Sequence, residues 1–158
     1  MRVPLGDPKH RLLLVSSSGG VLLELLALRH WWQHHDVRWL AVPGADTRDV
    51  LRDQAVTWTA ELRPRHPLAL LRSLLEAWRL LADARIDAVI SAGTGVAVPV
   101  FLAARLRGVP AYWIETLNVV GRQGLASRLC GRLATQVLVQ NVDLLAARSR
   151  AVFVGQLY

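Results

Sequence analysis

Cysteine is almost absent from this sequence. Cys130 stands alone among 158 residues, so neither an internal disulfide nor a thiolate metal cage can form. It lies in the apolar helical pattern LASRLCGRLA, which reads as core, and a reducing compartment fits. Long unbroken apolar runs are also missing. The longest such stretch near the start, residues 12–28, is interrupted by Ser16-Ser17-Ser18-Gly19-Gly20, which excludes a membrane span there and breaks what would be the apolar region of a signal peptide. Any membrane contact is therefore expected to be peripheral. Nucleotide fingerprints are lacking too: neither G-x-G-x-x-G nor G-x-x-x-x-G-K-[ST] occurs. No RNA-binding aromatic motif is present, so a nucleic-acid partner is not expected. Internal repeats and low-complexity tracts are absent.

What is present is a 53% hydrophobic composition, ample for a core covered on both faces of a sheet. Lys and Arg number 19 against 12 Asp and Glu, a formal net charge of +7, and nearly all the cations are Arg, the side chain suited to bidentate phosphate contacts. Anionic lipid head groups and phosphorylated substrates are natural partners for such a surface. A coding bias toward arginine explains the charge equally well, because net charge carries no information about fold.

Residues 1–10, with prolines and mixed charge, read as a loosely ordered lead, and residues 11–158 as one domain. Leu12-Leu13-Leu14-Val15 is a short apolar run closed by Ser and Gly, the pattern of a buried parallel strand. A helix is expected over 20–32, with Leu22, Leu23, Leu26 and Leu28 turned inward. A strand follows at 37–42, then a short helix at 46–54 capped by Asp46, a strand at 55–59 and a turn-rich linker at 63–67. The spacing predicts the clearest helix over 68–84, where Arg72, Glu76, Arg79 and Asp83 share one solvated stripe and a broad face of Leu and Trp78 must find cover. Strands at 86–91, 109–115, 136–139 and 152–154 alternate with helices at 96–107, 122–134 and from 143, and Gly108 reads as a helix stop. The alternation predicts an α/β fold, a doubly wound, mostly parallel sheet.

In such sheets ligands bind beyond the carboxyl ends of the strands, which directs attention to three segments. Ser16-Ser17-Ser18-Gly19-Gly20 follows the first strand, and its glycines and hydroxyls beside the free N–H groups of a helix start suit phosphate oxygens. The same composition serves a tight turn that merely needs small residues. Ser91-Ala92-Gly93-Thr94-Gly95 repeats the pattern after the fourth strand. Two anion-friendly loops on one sheet edge suggest a diphosphate. Glu115 closes an apolar strand, where a carboxylate can accept a proton, bind sugar hydroxyls or brace the loop at 118–121. His30 and His34 sit four apart at a helix end but lack a third ligand, so no metal or cofactor is expected. Trp31, Trp32 and Trp39 fit either a lipid interface or a core.

Taken in order, SSSGGVLLELLAL, SAGTGVAVPVFLAARLRGVPAYWIE and GLASRLCGRLATQVLVQ resemble the Alg/PssD family of acceptor-side glycosyltransferase subunits, over most of the chain from residue 12. Members of that family look like the amino-terminal, Rossmann-like half of a GT-B glycosyltransferase such as MurG. The resemblance implies a hexosyltransferase completed by a donor-binding subunit on a separate chain. It also implies a UDP-sugar donor, a polyprenyl-diphosphate-linked acceptor and a place at the cytoplasmic face of a membrane. On the family's pattern Ser17, Ser18, Gly19 and Gly20 fall on its Ser-Gly-Gly loop, Glu24 on its helix glutamate, Ser91, Gly93, Thr94 and Gly95 on its second loop, and Glu115 on its strand-end glutamate. These imply substrate-binding roles for the loops and Glu24 and a catalytic one for Glu115, with positively charged loops offsetting the diphosphates. Where the family usually carries His after Gly-Gly, this sequence has Val21, which can neither accept a proton nor orient a hydroxyl. A non-catalytic membrane scaffold that recruits the donor-binding chain is the alternative this departure raises.

Overall fold

A computed structural model describes residues 9–62, 67–115, 124–140, 142 and 151–154. Residues 63–66 of the linker expected at 63–67, the loop at 118–121 and the helix from 143 lie outside the described residues, and Pro67 begins a helix.

Seven strands form one parallel sheet: β1 (Arg11–Ser16), β2 (Asp36–Ala41), β3 (Ala55–Trp58), β4 (Ala88–Ser91), β5 (Ala111–Glu115), β6 (Gln136–Val139) and β7 (Ala151–Phe153). Their order is β3-β2-β1-β4-β5-β6-β7, the doubly wound arrangement expected from the alternating sequence. The helices are α1 (Gly20–Ala27), α2 (Arg29–Trp32), α3 (Ala45–Val50), α4 (Pro67–Asp83), α5 (Ala97–Arg107) and α6 (Leu125–Leu133). One apolar cluster holds Leu13, Val15 and Val89 against Ala77 and Leu81 of α4, Val100 and Phe101 of α5 and Cys130 of α6. The other holds Leu12, Leu14 and Ile90 against Leu22 and Leu25 of α1, Trp32 and Leu51. Alternate residues of β1 thus enter opposite cores, as a strand covered on both faces requires. Cys130 is fully buried and burial pushes its thiol up to about 12, so it packs rather than reacts.

Local chemistry explains where the elements stop. Gly108 ends α5 at φ 72, a left-handed cap that costs an L side chain dearly. The single helix expected at 20–32 is broken at Leu28, whose φ of −86 and ψ of 8 leave the helical region. The Trp32 indole N–H donates to the Leu25 carbonyl at 2.7 Å, an oxygen that also accepts from the Leu28 N–H at the break, and the Trp32 ring packs edge-on against Trp39 at 5.7 Å. Trp32 and Trp39 are core residues, which rules out the interfacial role for those two. Leu23, expected inward, is 65% exposed. A larger departure concerns α4. It buries only Ala77 and Leu81, while Leu68, Leu70, Leu71, Leu75 and Trp78 remain exposed. Its apolar face is broader than the strip that α5 covers, so the expected cover is not supplied by the described residues.

Candidate functional site

The strand order reverses direction between β1 and β4, and their register aligns Val15 with Ser91. The loops that follow these two strands therefore leave the sheet side by side, at the switch point where such sheets open a crevice. Contacts confirm the adjacency. A Cβ built on Gly93 would come within 2.6 Å of Val21 Cγ2, so the second loop passes the first turn of α1 with room for glycine alone.

The first loop places Ser18, Gly19 and Gly20 at the surface and Ser17 half-buried. Gly19 takes φ 75 and ψ −136, a conformation open essentially to glycine. No side chain caps α1, which leaves its first-turn N–H groups facing the crevice. One anionic oxygen is already held there. The Gly19 N–H donates to Asp46 Oδ2 at 3.0 Å, and Thr47 N–H donates to Asp46 Oδ1 at 2.8 Å. These two bonds, Gly19 first, hold the Asp46 carboxyl below its ordinary range. Asp46 was expected to cap α3; instead it reaches across the edge to the first loop, and Gly44 starts the helix without a side-chain cap. The Gly44 turn lies against Ser18, whose Cβ a methyl group there would meet at 3.2 Å.

In the second loop Ser91 is fully buried. Its Oγ lies 2.9 Å from the Val15 carbonyl and 2.7 Å from the Gly93 carbonyl, and it accepts from the Gly93 N–H at 3.3 Å. The hydroxyl ties β4 to β1 and closes the turn at Gly93. Thr94 stands at φ 86, a left-handed position that a β-branched residue holds at a cost of about 1–3 kcal/mol. Gly95 is exposed beside it.

Glu115 ends β5 and is 2% exposed. Its Oε2 accepts from the Trp113 indole N–H at 3.2 Å and its Oε1 from Ser127 Oγ at 2.9 Å. Both oxygens accept bonds within the fold, and the Ser127 bond ties β5 to α6. Glu24 is also buried, at 3% exposed, but its Oε2 has no hydrogen-bond partner among the described residues. Desolvation alone raises its pKa from 4.5 to about 7.

The charge expected on these loops is not found in their described parts. Residues 16–20, 44–47 and 91–96 contain one charged side chain, and it is the carboxylate of Asp46. Sequence reasoning also missed a cavity of about 370 Å³ beside β3, where Thr57, Thr59, Ser73, Glu76, Arg79 and Asp83 supply the polar lining. None of the expected site residues reaches it, and the polar stripe of α4 is the one signal that pointed there. Among the described residues, no three His, Cys, Asp or Glu side chains converge as a metal site, and no helix is long and apolar enough to cross a membrane.

No protein-family model matches the chain. Comparison with curated proteins finds UDP-N-acetylglucosamine--N-acetylmuramyl-(pentapeptide) pyrophosphoryl-undecaprenol N-acetylglucosamine transferases. That of Acinetobacter baylyi is 29% identical over 161 residues, covering 94% of this chain and 43% of the relative. That of Roseiflexus sp. is 38% identical over 122 residues, covering 67% of this chain and 27% of the relative. Among solved structures, Acinetobacter baumannii MurG superposes with a TM-score of 0.70 at 27% identity, over 85% of this chain and 42% of that one. The chain therefore spans less than half the length of the proteins it matches. In sequence and fold it is a homologue of MurG-type UDP-N-acetylglucosamine glycosyltransferases, and its seven-stranded sheet is a Rossmann-like half of the GT-B kind.

Proposed function

We propose that this chain is the acceptor-binding half of a glycosyltransferase of the two-component Alg/PssD kind. The enzyme moves a sugar, GlcNAc or glucose, from a UDP-sugar to a polyprenyl-diphosphate-linked acceptor at the cytoplasmic face of a membrane, and a separate chain binds the donor. The observation that carries this reading is the convergence of two glycine-rich loops at the switch point of a sheet homologous to MurG. Ser17, Ser18, Gly19, Gly20, Gly93, Thr94 and Gly95 surround the acceptor diphosphate, with the uncapped start of α1 supplying N–H donors. The exposed leucines of α4, flanked by Arg72 and Arg79 and by Arg107, whose guanidinium lies 4.7 Å from the Trp78 ring centroid, form the peripheral membrane contact.

One observation favours the scaffold alternative. Val21 has no proton-accepting group and Glu115 has both oxygens engaged, so neither of those positions supplies a free base. Co-expression with a donor-binding chain, followed by transfer of radiolabelled UDP-sugar to membranes, tests the reading. Transfer into the lipid fraction only when both chains are present supports the half-enzyme. A stable complex that transfers nothing points to the scaffold, and failure to associate removes the two-chain arrangement. Glu115→Gln, which keeps one acceptor oxygen, is expected to transfer within about tenfold of wild type if Glu115 braces β5, whereas a proton acceptor there would lose about 100-fold or more.

A further inference from the structure

Helix α1 buries Leu22, Glu24 and Leu25, and the middle member is a carboxylate in an apolar setting. The apolar side chains of this layer include Leu12, Leu14, Ile90, Ala92 and Ile114. Arg11 on β1 and Arg29 and His30 on α2 are exposed at the amino edge of the sheet, opposite the loops. The other elements of this layer carry Asp36 and Arg38 on β2 and Glu115 on β5, and Asp46 of α3 accepts from the Gly19 N–H at the start of α1. Burying a carboxylate without a partner costs several kcal/mol or forces it to keep its proton. A leucine would avoid that penalty, so the carboxylate calls for a use.

Its position supplies one. Helical side chains lean toward the helix amino terminus, so Glu24 leans toward the Ser17–Gly20 loop. Val21 stands three residues earlier on the same face, one short axial step of about 4.5 Å away, and touches Gly93. The face of α1 that carries Glu24 is therefore the one turned to the second loop. Three carboxylates lie on the elements that meet at this edge of the sheet. Asp46 bonds Gly19 and Thr47, Glu115 bonds Trp113 and Ser127, and among the described residues Glu24 Oε2 has no hydrogen-bond partner.

We infer that Glu24 is the general base of the transfer reaction, accepting the proton of the acceptor hydroxyl one helical step beyond the position that Val21 occupies. This rests on the glycosyltransferase reading above. In the step, the hydroxyl O–H bond breaks and its proton passes to the Glu24 carboxylate. The oxygen's electron pair forms the bond to the anomeric carbon of the UDP-sugar. The bond from that carbon to the β-phosphate oxygen breaks, and its electron pair leaves with UDP. Glu24 then returns the proton to water. Burial makes the carboxylate a stronger base than an exposed one while leaving it substantially ionised near neutrality.

The test uses the complex with its donor-binding chain, comparing wild type, Glu24→Gln and Glu24→Asp across pH. Wild type is expected to show an acid limb in kcat centred near pH 7, from the pKa of about 7. Glu24→Gln should lower kcat by about 10²–10⁴-fold, leave the KM for UDP-sugar within about threefold, and abolish the limb. Glu24→Asp, which keeps a carboxylate if the amide variant folds poorly, should retain the limb at reduced kcat. A Glu24→Gln enzyme within about threefold of wild type, with the same limb, overturns the inference and leaves the glycosyltransferase reading standing. A wild-type complex that transfers no sugar overturns that reading, and the inference with it, before any substitution is made.

Discussion

Replacing Glu24 with glutamine should change how stability depends on pH, whatever reaction the chain serves. The carboxyl titrates near 4.5 when solvated and at about 7 in the folded protein, raised by desolvation. A gap of about 2.5 units at about 1.36 kcal/mol each amounts to about 3 kcal/mol. The folded state binds this proton more tightly than the unfolded one. The contribution is therefore full below pH 4.5 and is lost as pH rises through about 7. Glutamine does not titrate, so the stability of Glu24→Gln relative to wild type should climb by about 3 kcal/mol between roughly pH 4 and pH 8. At about 2–4 °C per kcal/mol for a domain of this size, the Tm difference should open by roughly 6–12 °C. Asp46 and His35, whose pKa values both lie below their ordinary ranges, titrate in both proteins and cancel in the difference. Urea denaturation at a series of pH values reads the effect directly. A difference that stays flat within about 0.5 kcal/mol would show that Glu24 is solvated or paired, and would refute the reasoning.

The remaining expectations concern packing and surface. Gly93→Ala places a methyl 2.6 Å from Val21 Cγ2 and should cost about 1–3 kcal/mol. In a Val21→Ala background the cost should largely vanish, and equal costs in both backgrounds, measured by chemical denaturation, would deny the contact. Leu71→Ser combined with Leu75→Ser, at positions 53% and 51% exposed, should reduce sedimentation with vesicles containing anionic lipid. Thermal stability should change by less than about 1 kcal/mol; unchanged vesicle binding would exclude α4 as the contact.

Much of this architecture is legible residue by residue. The run at 12–15 and the strand Gln136–Val139 are recognisable because a strand buried on both faces needs consecutive apolar residues, a requirement met locally. Gly108 marks the end of α5 because only its own φ is at stake. The two small-residue loops were visible for the same reason. The sequence by itself therefore determined the strands, most of the helices and the glycine positions, which depend on neighbours a few residues away. Tertiary structure alone decided the rest. The 3-2-1-4 order sets residues 21 and 93 in contact, a bond across 27 residues hands the Gly19 N–H to Asp46, and the Ser91 hydroxyl meets the Val15 carbonyl of the neighbouring strand. The burial of Glu24 and the bareness of α4 belong to the same group. Hydrogen-bond partners and desolvation depend on which distant segments meet, and periodicity along one helix cannot say what lies across from it.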